Sequence, residues 1–304
     1  MLAALLLLAA ADPLLLRHAP LLQRRANAAG TESDVPLLMY VEKLKDKAGA
    51  LYLQYSVIFS NEDGGTSTRA LMARWGRTTD IEHVYRVWLD ADGRRIKALI
   101  QTKNHVDVPF KGPFQGDRPI LRVITNNNML GPGKRGQPVT DLEPHLVDLS
   151  GASREQVMDE RPEMYRQAAE ELAREDKLKL MGDPRHYLYL EAEIANGKSS
   201  RIAARVRLRD GPKWYSSHVG RAAWAIERSG FVRTTIALPA GTTAADVVEV
   251  GFDCLGDDGE CEIRQVTKGF FLDAGYRPGA SFLHRRLDWR LTPGEMMTWT
   301  LTSK

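Results

Sequence analysis

Apolar and polar residues alternate along much of this chain, and the alternation is clearest from Gly76 to Asp107. Two alternating runs there flank Asp92-Gly93, a dipeptide suited to the positive φ of a two-residue hairpin turn. With Ala91 facing Arg94, the register sets Leu89 opposite Ile96, Val87 opposite Ala98 and Tyr85 opposite Ile100. The other face then pairs Asp90 with Arg95, Trp88 with Lys97, Glu82 with Lys103 and Asp80 with His105. A one-residue slip would lose both the apolar face and the matched charges.

The same pattern predicts strands over 51–59, 120–125, 231–238, 247–252, 262–272 and 296–302, and an edge element over 35–44. A second hairpin is expected from residues 187–195 and 199–208 around Asn196-Gly197-Lys198. In it Leu188 meets Val206, Leu190 meets Ala204, Tyr189 meets Arg205 and Tyr187 meets Arg207. One stretch differs. From Ser153 to Leu178 apolar residues recur at three and four, Ser153 with Gln156 resembles a capping box, and Pro162 suits the first turn of a second helix. The chain is therefore predicted to be mainly β, built as antiparallel β-sandwiches with one helical insertion around 153–178. Its division is read as a leader over 1–11, a β-rich lobe over 12–152, a helical connection over 153–180 and a second β-rich lobe over 181–304.

The leader reading rests on the short apolar run Leu2 to Ala11, which ends Ala9-Ala10-Ala11 before Asp12-Pro13. That is the apolar core and small-residue cleavage site of a secretory signal, too short to span a bilayer, although a basic start is missing. No later stretch is long and apolar enough to be transmembrane. Two cysteines, Cys254 and Cys261, lie close together with glycines between them and are expected to form a disulfide, which would persist in a secreted or periplasmic protein. A net charge of +3 over 304 residues, without a basic block, argues against nucleic acid as a partner.

No phosphate loop, dinucleotide fingerprint, zinc-protease motif or nucleophile elbow is present. The candidate catalytic group is Asp80, Glu82 and His105. Two carboxylates two apart on a strand project from one face, and a facing imidazole can act as a general base or help hold a divalent cation. Charged cross-strand pairs on a solvated face look the same without any function. Asn126, Asn127 and Asn128 read either as a strand terminus or as amides lining a polar pocket. Tyr187, Tyr189, Arg205 and Arg207 form a ladder that is either a solvated face or a platform for a sugar or an anionic polymer.

Several of these segments resemble the vacuolar protein sorting sixty-two-like family. The resemblance covers Asp12 to Leu130 and rests on Leu51 to Ser60, on Asp80-x-Glu82-His83-Val84, on Leu89-Asp90-x-Asp92-Gly93 and on the opening Leu16-Arg17-His18-Ala19-Pro20-Leu21-Leu22. Family members carry an aromatic strand, then His-Glu-Gly-Asp-Trp-Glu, then a hairpin followed by a later histidine. Asp80, Glu82 and His105 match the acidic pair and that histidine. Arg77 stands where the family has its first histidine and Ile81 replaces its tryptophan, so a site that needs that histidine is not carried over. The resemblance implies a β-rich fold and no defined reaction. The leading expectation is an exported β-sandwich protein that binds a polar ligand, with a glycan the first candidate. The alternatives are a hydrolase using Asp80, Glu82 and His105, with or without a divalent cation, and a structural envelope protein that binds no ligand.

Overall fold

The computed structural model describes residues 12–25, 34–62 and 66–301. The leader-like run over 1–11 lies outside them. Strand accounts for 44% of the chain and helix for 17%, so the protein is mainly β. It divides into two compact units, the first holding residues 12–62 and 80–148 and the second residues 66–79 and 149–301, within the described residues.

The first unit opens with the short helix α1 (Pro13–His18), whose Asp12 cap accepts from the Leu14 N–H. It continues with β1 (Leu21–Gln23), β2 (Pro36–Lys45), β3 (Leu51–Phe59), β4 (Asp80–Leu89), β5 (Arg95–Thr102) and β6 (Val106–Pro109). The short strands β7 (Phe114–Gln115), β8 (Arg118–Val123), β9 (Leu130–Pro132) and β10 (Pro144–Leu146) complete it. One sheet runs β10-β2-β3-β4-β5-β6 and the other β1-β8-β7, with β9 also on β8. Pairing is antiparallel except for β1 with β8 and β10 with β2. The two sheets bury a shared apolar core in which Met39, Val41, Tyr55, Val57, Tyr85 and Val87 meet Leu22, Leu121, Val123 and Leu130.

In the middle of the β4–β5 pair the register is the expected one: Tyr85 faces Ile100, Val87 faces Ala98 and Trp88 faces Lys97. Both ends differ. At the tip the turn has three residues, Ala91-Asp92-Gly93, closed by Asp90 N–H to the Arg94 carbonyl at 2.9 Å. The Asp90 carboxylate accepts from the N–H groups of Asp92 and Arg94, and Gly93 takes φ 72°. The extra residue shifts Leu89 onto Arg95 and leaves Ile96 69% exposed, off the apolar face. At the other end the ladder stops at Tyr85 and Ile100, because β5 turns through Lys103–His105 into β6, which pairs back on β5. Glu82 with Lys103 and Asp80 with His105 are therefore not cross-strand partners.

The second unit contains α2 (Thr68–Trp75), α3 (Gln156–Glu160), α4 (Glu163–Arg174) and α5 (Leu178–Met181). Its strands are β11 (Tyr187–Asn196), β12 (Arg201–Leu208), β13 (Trp214–Ser216), β14 (Gly230–Ala237), β15 (Val247–Leu255), β16 (Cys261–Phe270), β17 (Arg285–Leu291) and β18 (Met296–Thr300). They form two antiparallel sheets, β14-β11-β16-β17 and β13-β12-β15-β18. Leu188, Leu190 and Ile194 of β11 share the core with Ile202, Ala204 and Val206 of β12. The expected hairpin is thus corrected: β11 pairs with β14 and β16, and β12 with β13 and β15, so the chain crosses between sheets at Asn196-Gly197-Lys198. Cys254 and Cys261 form the disulfide that joins β15 to β16.

Helix α2 was not foreseen. It lies along β14, and three carbonyls of its last turn are taken: Met72 by Gly76 N–H and Thr235, Ala73 by Thr234, and Arg74 by Arg228. Gly76 ends it at φ 62°, where a Cβ would also lie 2.5 Å from Arg233 Cγ. Ser153 does not cap α3. Its hydroxyl donates to Glu191 at 2.7 Å, inside a buried ionic network that ties α3 and α4 to β11 and β14.

Candidate functional site

In the first unit Asp80 and Glu82 occupy the first turn of the alternation in β4, where Asp80 faces Phe59 and Glu82 faces Val57 of β3. Val57 and Phe59 point into the apolar core, so the two carboxylates lie on the core side of the sheet at its end. A β-bulge explains how they arrived there. Tyr55 pairs with Tyr85 and Ser56 with His83, which leaves Val84 as an extra residue. The bulge resets the alternation, so Glu82 and Tyr85 share the inner face while His83 and Arg86 share the outer one.

Burial of the carboxylates follows: Asp80 is 2% exposed and Glu82 is 7% exposed. Asp80 Oδ2 accepts from Asn128 Nδ2 at 3.0 Å, and the same amide donates to the Asn61 carbonyl at 3.1 Å. Asn128 is wholly buried, sits at φ 53°, and its Oδ1 has no hydrogen-bond partner. Glu82 is held by Gln101. With its amide turned so that Nε2 faces Glu82, Gln101 donates to Glu82 Oε2 at 2.6 Å and accepts from His83 Nδ1 at 3.2 Å. His83 Nε2 in turn lies 2.9 Å from Asp107 Oδ1, and Asp107 is also paired with Arg86. Burial lowers the His83 pKa, against the pull of Asp107.

His105 reaches the site from the β5–β6 turn. Its Nδ1 lies 3.6 Å from Glu82 Oε2, and its side chain is 55% exposed above a carboxylate that is 9% exposed. The bond to Glu82 raises the His105 pKa, opposed by partial burial and helped by the charges of Asp80 and Glu62. Asn104 and His105 take φ 62° and 56°. With Asn128 they make three of the eight non-glycine residues at positive φ among the described residues, and such backbone strain gathers where surroundings over-determine a conformation.

The structure thus brings Asp80, Glu82, His105 and Asn128 to one corner, though His105 meets Glu82 rather than Asp80. Asn127 Oδ1 instead accepts from Thr125 at 2.8 Å, and the exposed Asn126 accepts from Arg25. Gln101 and His83 are members that sequence reasoning missed. A polar residue inside the apolar run Leu99-Ile100-Gln101 was the available signal for the first.

The four remaining candidates, all in the second unit, are not one ladder. Tyr187 and Tyr189 are 5% and 1% exposed, beneath the helical segment. The Tyr189 ring stacks on Phe270 at 5.2 Å and meets the edge of Tyr165 at 5.8 Å, so neither face is open to a ligand. Arg205 and Arg207 lie on the outer face of the other sheet, paired with Asp253 and Glu249. Among the described residues no group of three or more His, Cys, Asp or Glu side chains is gathered as a metal ion would require. No helix among them is long and apolar enough to cross a membrane.

No family model and no curated protein matches the chain. Two solved structures, NLPPya in complex with mannosamine and NLPPya in complex with glucosamine, align with 55% of this chain and 87% of theirs. Each is 14% identical, with a TM-score of 0.32, a likeness that assigns neither fold nor ligand to this chain.

Proposed function

We propose that this chain is an exported β-sandwich protein that binds a hydroxyl-rich ligand, a glycan, at the corner where Glu82, His105, Asp80 and Asn128 meet. The observation that carries this reading is the pairing of Glu82 with His105 at 3.6 Å, a nearly buried carboxylate under an exposed imidazole. A sugar hydroxyl both donates and accepts. The Glu82 carboxylate accepts, a protonated His105 donates, and the neighbouring amides can do either. The Cys254–Cys261 disulfide supports export, since such bonds persist in oxidising compartments. The test is titration of purified protein against a panel of neutral oligosaccharides. Glu82→Gln and His105→Ala should each weaken the best binder about tenfold, the loss of one hydrogen bond to a charged group. Unchanged affinity in both variants, with unchanged melting, would refute the site.

A second reading draws on the same pair. A histidine whose pKa is raised beside a carboxylate suits a general acid, so a hydrolase using Asp80, Glu82 and His105 is the alternative. It predicts release of shorter sugars from the bound glycan and loss of that turnover, with retained binding, in Asp80→Asn.

A further inference from the structure

The second unit holds a cavity of about 450 Å³ that the corner of the first unit does not use. Its walls are Leu208, Tyr215 and Pro239, and Asp210, Lys213 and Thr242 stand around it. The surrounding loops are tied down. Arg209 N–H bonds the Asp246 carbonyl at 2.8 Å, Thr242 donates to the Pro239 carbonyl at 2.7 Å, and Asp246 accepts from both the N–H and hydroxyl of Thr243. Gly241 sits at φ 83° with open space where a Cβ would be.

Two charged side chains in this arrangement have no oppositely charged partner among the described residues. Lys213 holds its ammonium 4.6 Å from the Tyr215 ring centre, and Asp210 stands three residues earlier in the same loop. They line one cavity, yet neither makes a salt bridge with the other or with any described residue. A cation on an aromatic ring and a carboxylate lining the same cavity suit a ligand that carries an anionic group and hydroxyl donors on a partly apolar ring.

We propose that this cavity binds an acidic oligosaccharide. Lys213, held over Tyr215, pairs with the sugar carboxylate, Asp210 accepts from ring hydroxyls, and the exposed Pro239 receives the C–H face of a ring. A free amino acid or a short zwitterion offers matching charges but would fill only a small part of the volume. The cavity belongs to the second unit and the proposed corner to the first, and the variants that test them change different residues, so either reading can fail alone.

The experiment titrates the full chain calorimetrically with trigalacturonate, maltotriose and the dipeptide alanylglutamate. Trigalacturonate should bind saturably and more tightly than maltotriose, and added salt should weaken it. Lys213→Met should weaken trigalacturonate about tenfold and abolish its advantage over maltotriose, whereas Asp210→Asn should weaken both sugars. Both residues are exposed, and unchanged melting will show that the variants fold. Absence of saturable trigalacturonate binding, the same affinity in both variants, or tighter binding of the dipeptide would each overturn the proposal.

Discussion

Replacing Arg233 by methionine should cost the second unit more than any single surface change. The side chain is 0% exposed, and its guanidinium makes a bidentate pair with Asp159 at 2.8 and 2.7 Å. It also donates to Glu191 at 2.9 Å and to the Tyr165 hydroxyl at 2.7 Å. Methionine would fill much of the volume and answer none of these acceptors. Asp159 would keep Lys268 at 2.7 Å and Glu191 would keep Ser153, but one buried negative charge would lose its counter-ion. Breaking a buried pair in this way costs about 3–5 kcal/mol. For a unit of this size that is roughly 6–20 °C in Tm. Arg233→Lys should fall between, because an ammonium keeps the charge and loses the fork. The effect has a sign in pH. Burial alone would raise the Asp159 pKa, but Arg233 and Lys268 outweigh it and hold it below the usual value. A depressed folded pKa contributes stability above the unfolded value, about 3.9, that is lost as pH falls through the folded one. In the variant Lys268 opposes burial alone, the Asp159 pKa rises, and proton uptake relieves the strain. Urea melts of both proteins at about pH 7 and about pH 4.5 should therefore show the gap narrowing in acid. A loss below about 1 kcal/mol, or an equal gap at both pH values, would refute the account.

Two further outcomes follow from the same reasoning. In Glu82→Gln the His105 pKa should fall toward the ordinary imidazole value, because the bond to Glu82 is the largest cause of its rise; an NMR titration of the ring that showed no fall would exclude the pairing. In the wild type the stabilisation from that raised pKa is present below the unfolded value, about 6.5, and is lost as pH rises through the folded one. Exposure of the ring keeps this small, so titration rather than melting is the readout. Cys254→Ser with Cys261→Ser should destabilise the second unit by about 2.5 kcal/mol, the chain entropy of so short a loop, with sequence separation 7. Melting that does not respond to reductant in the wild type would contradict it.

Strand positions were legible because alternation reports burial directly. The predicted strand over 51–59 is β3 to the residue, and β14, β15 and β16 fall within a few residues of their expected bounds. Pairing was less legible. Leu188, Leu190, Val206 and Ala204 meet each other whether β11 and β12 pair edge to edge or cross between two packed sheets, so their alternation fits both. The outward residues tell the two apart: in a hairpin Tyr189 and Arg205 would be neighbours, and in the sandwich they lie on opposite outer faces. Strand β17 escaped notice because its residues, Arg-Arg-Leu-Asp-Trp-Arg-Leu, belong to a largely exposed edge and carry little apolar signal.

The site turns on one inserted residue. Strict alternation from Trp88 back to Asp80 assigns both carboxylates to the polar face, with Arg86. Val84 breaks the count, and its signature was visible: Val84 and Tyr85 are consecutive apolar residues between the polar His83 and Arg86. Both are 0% exposed, and the register shift opposite Tyr55 and Ser56 places the bulge there. Turning Asp80 and Glu82 inward changes their chemistry. Carboxylates removed from water need donors close by, and here neutral amides, Asn128 and Gln101, are among those that supply them. Neutral donors satisfy the charge without cancelling it. The negative field of Asp80 and Glu82 is therefore still felt at His105, the exposed member of the group, where both carboxylates help raise the pKa and a ligand would meet it.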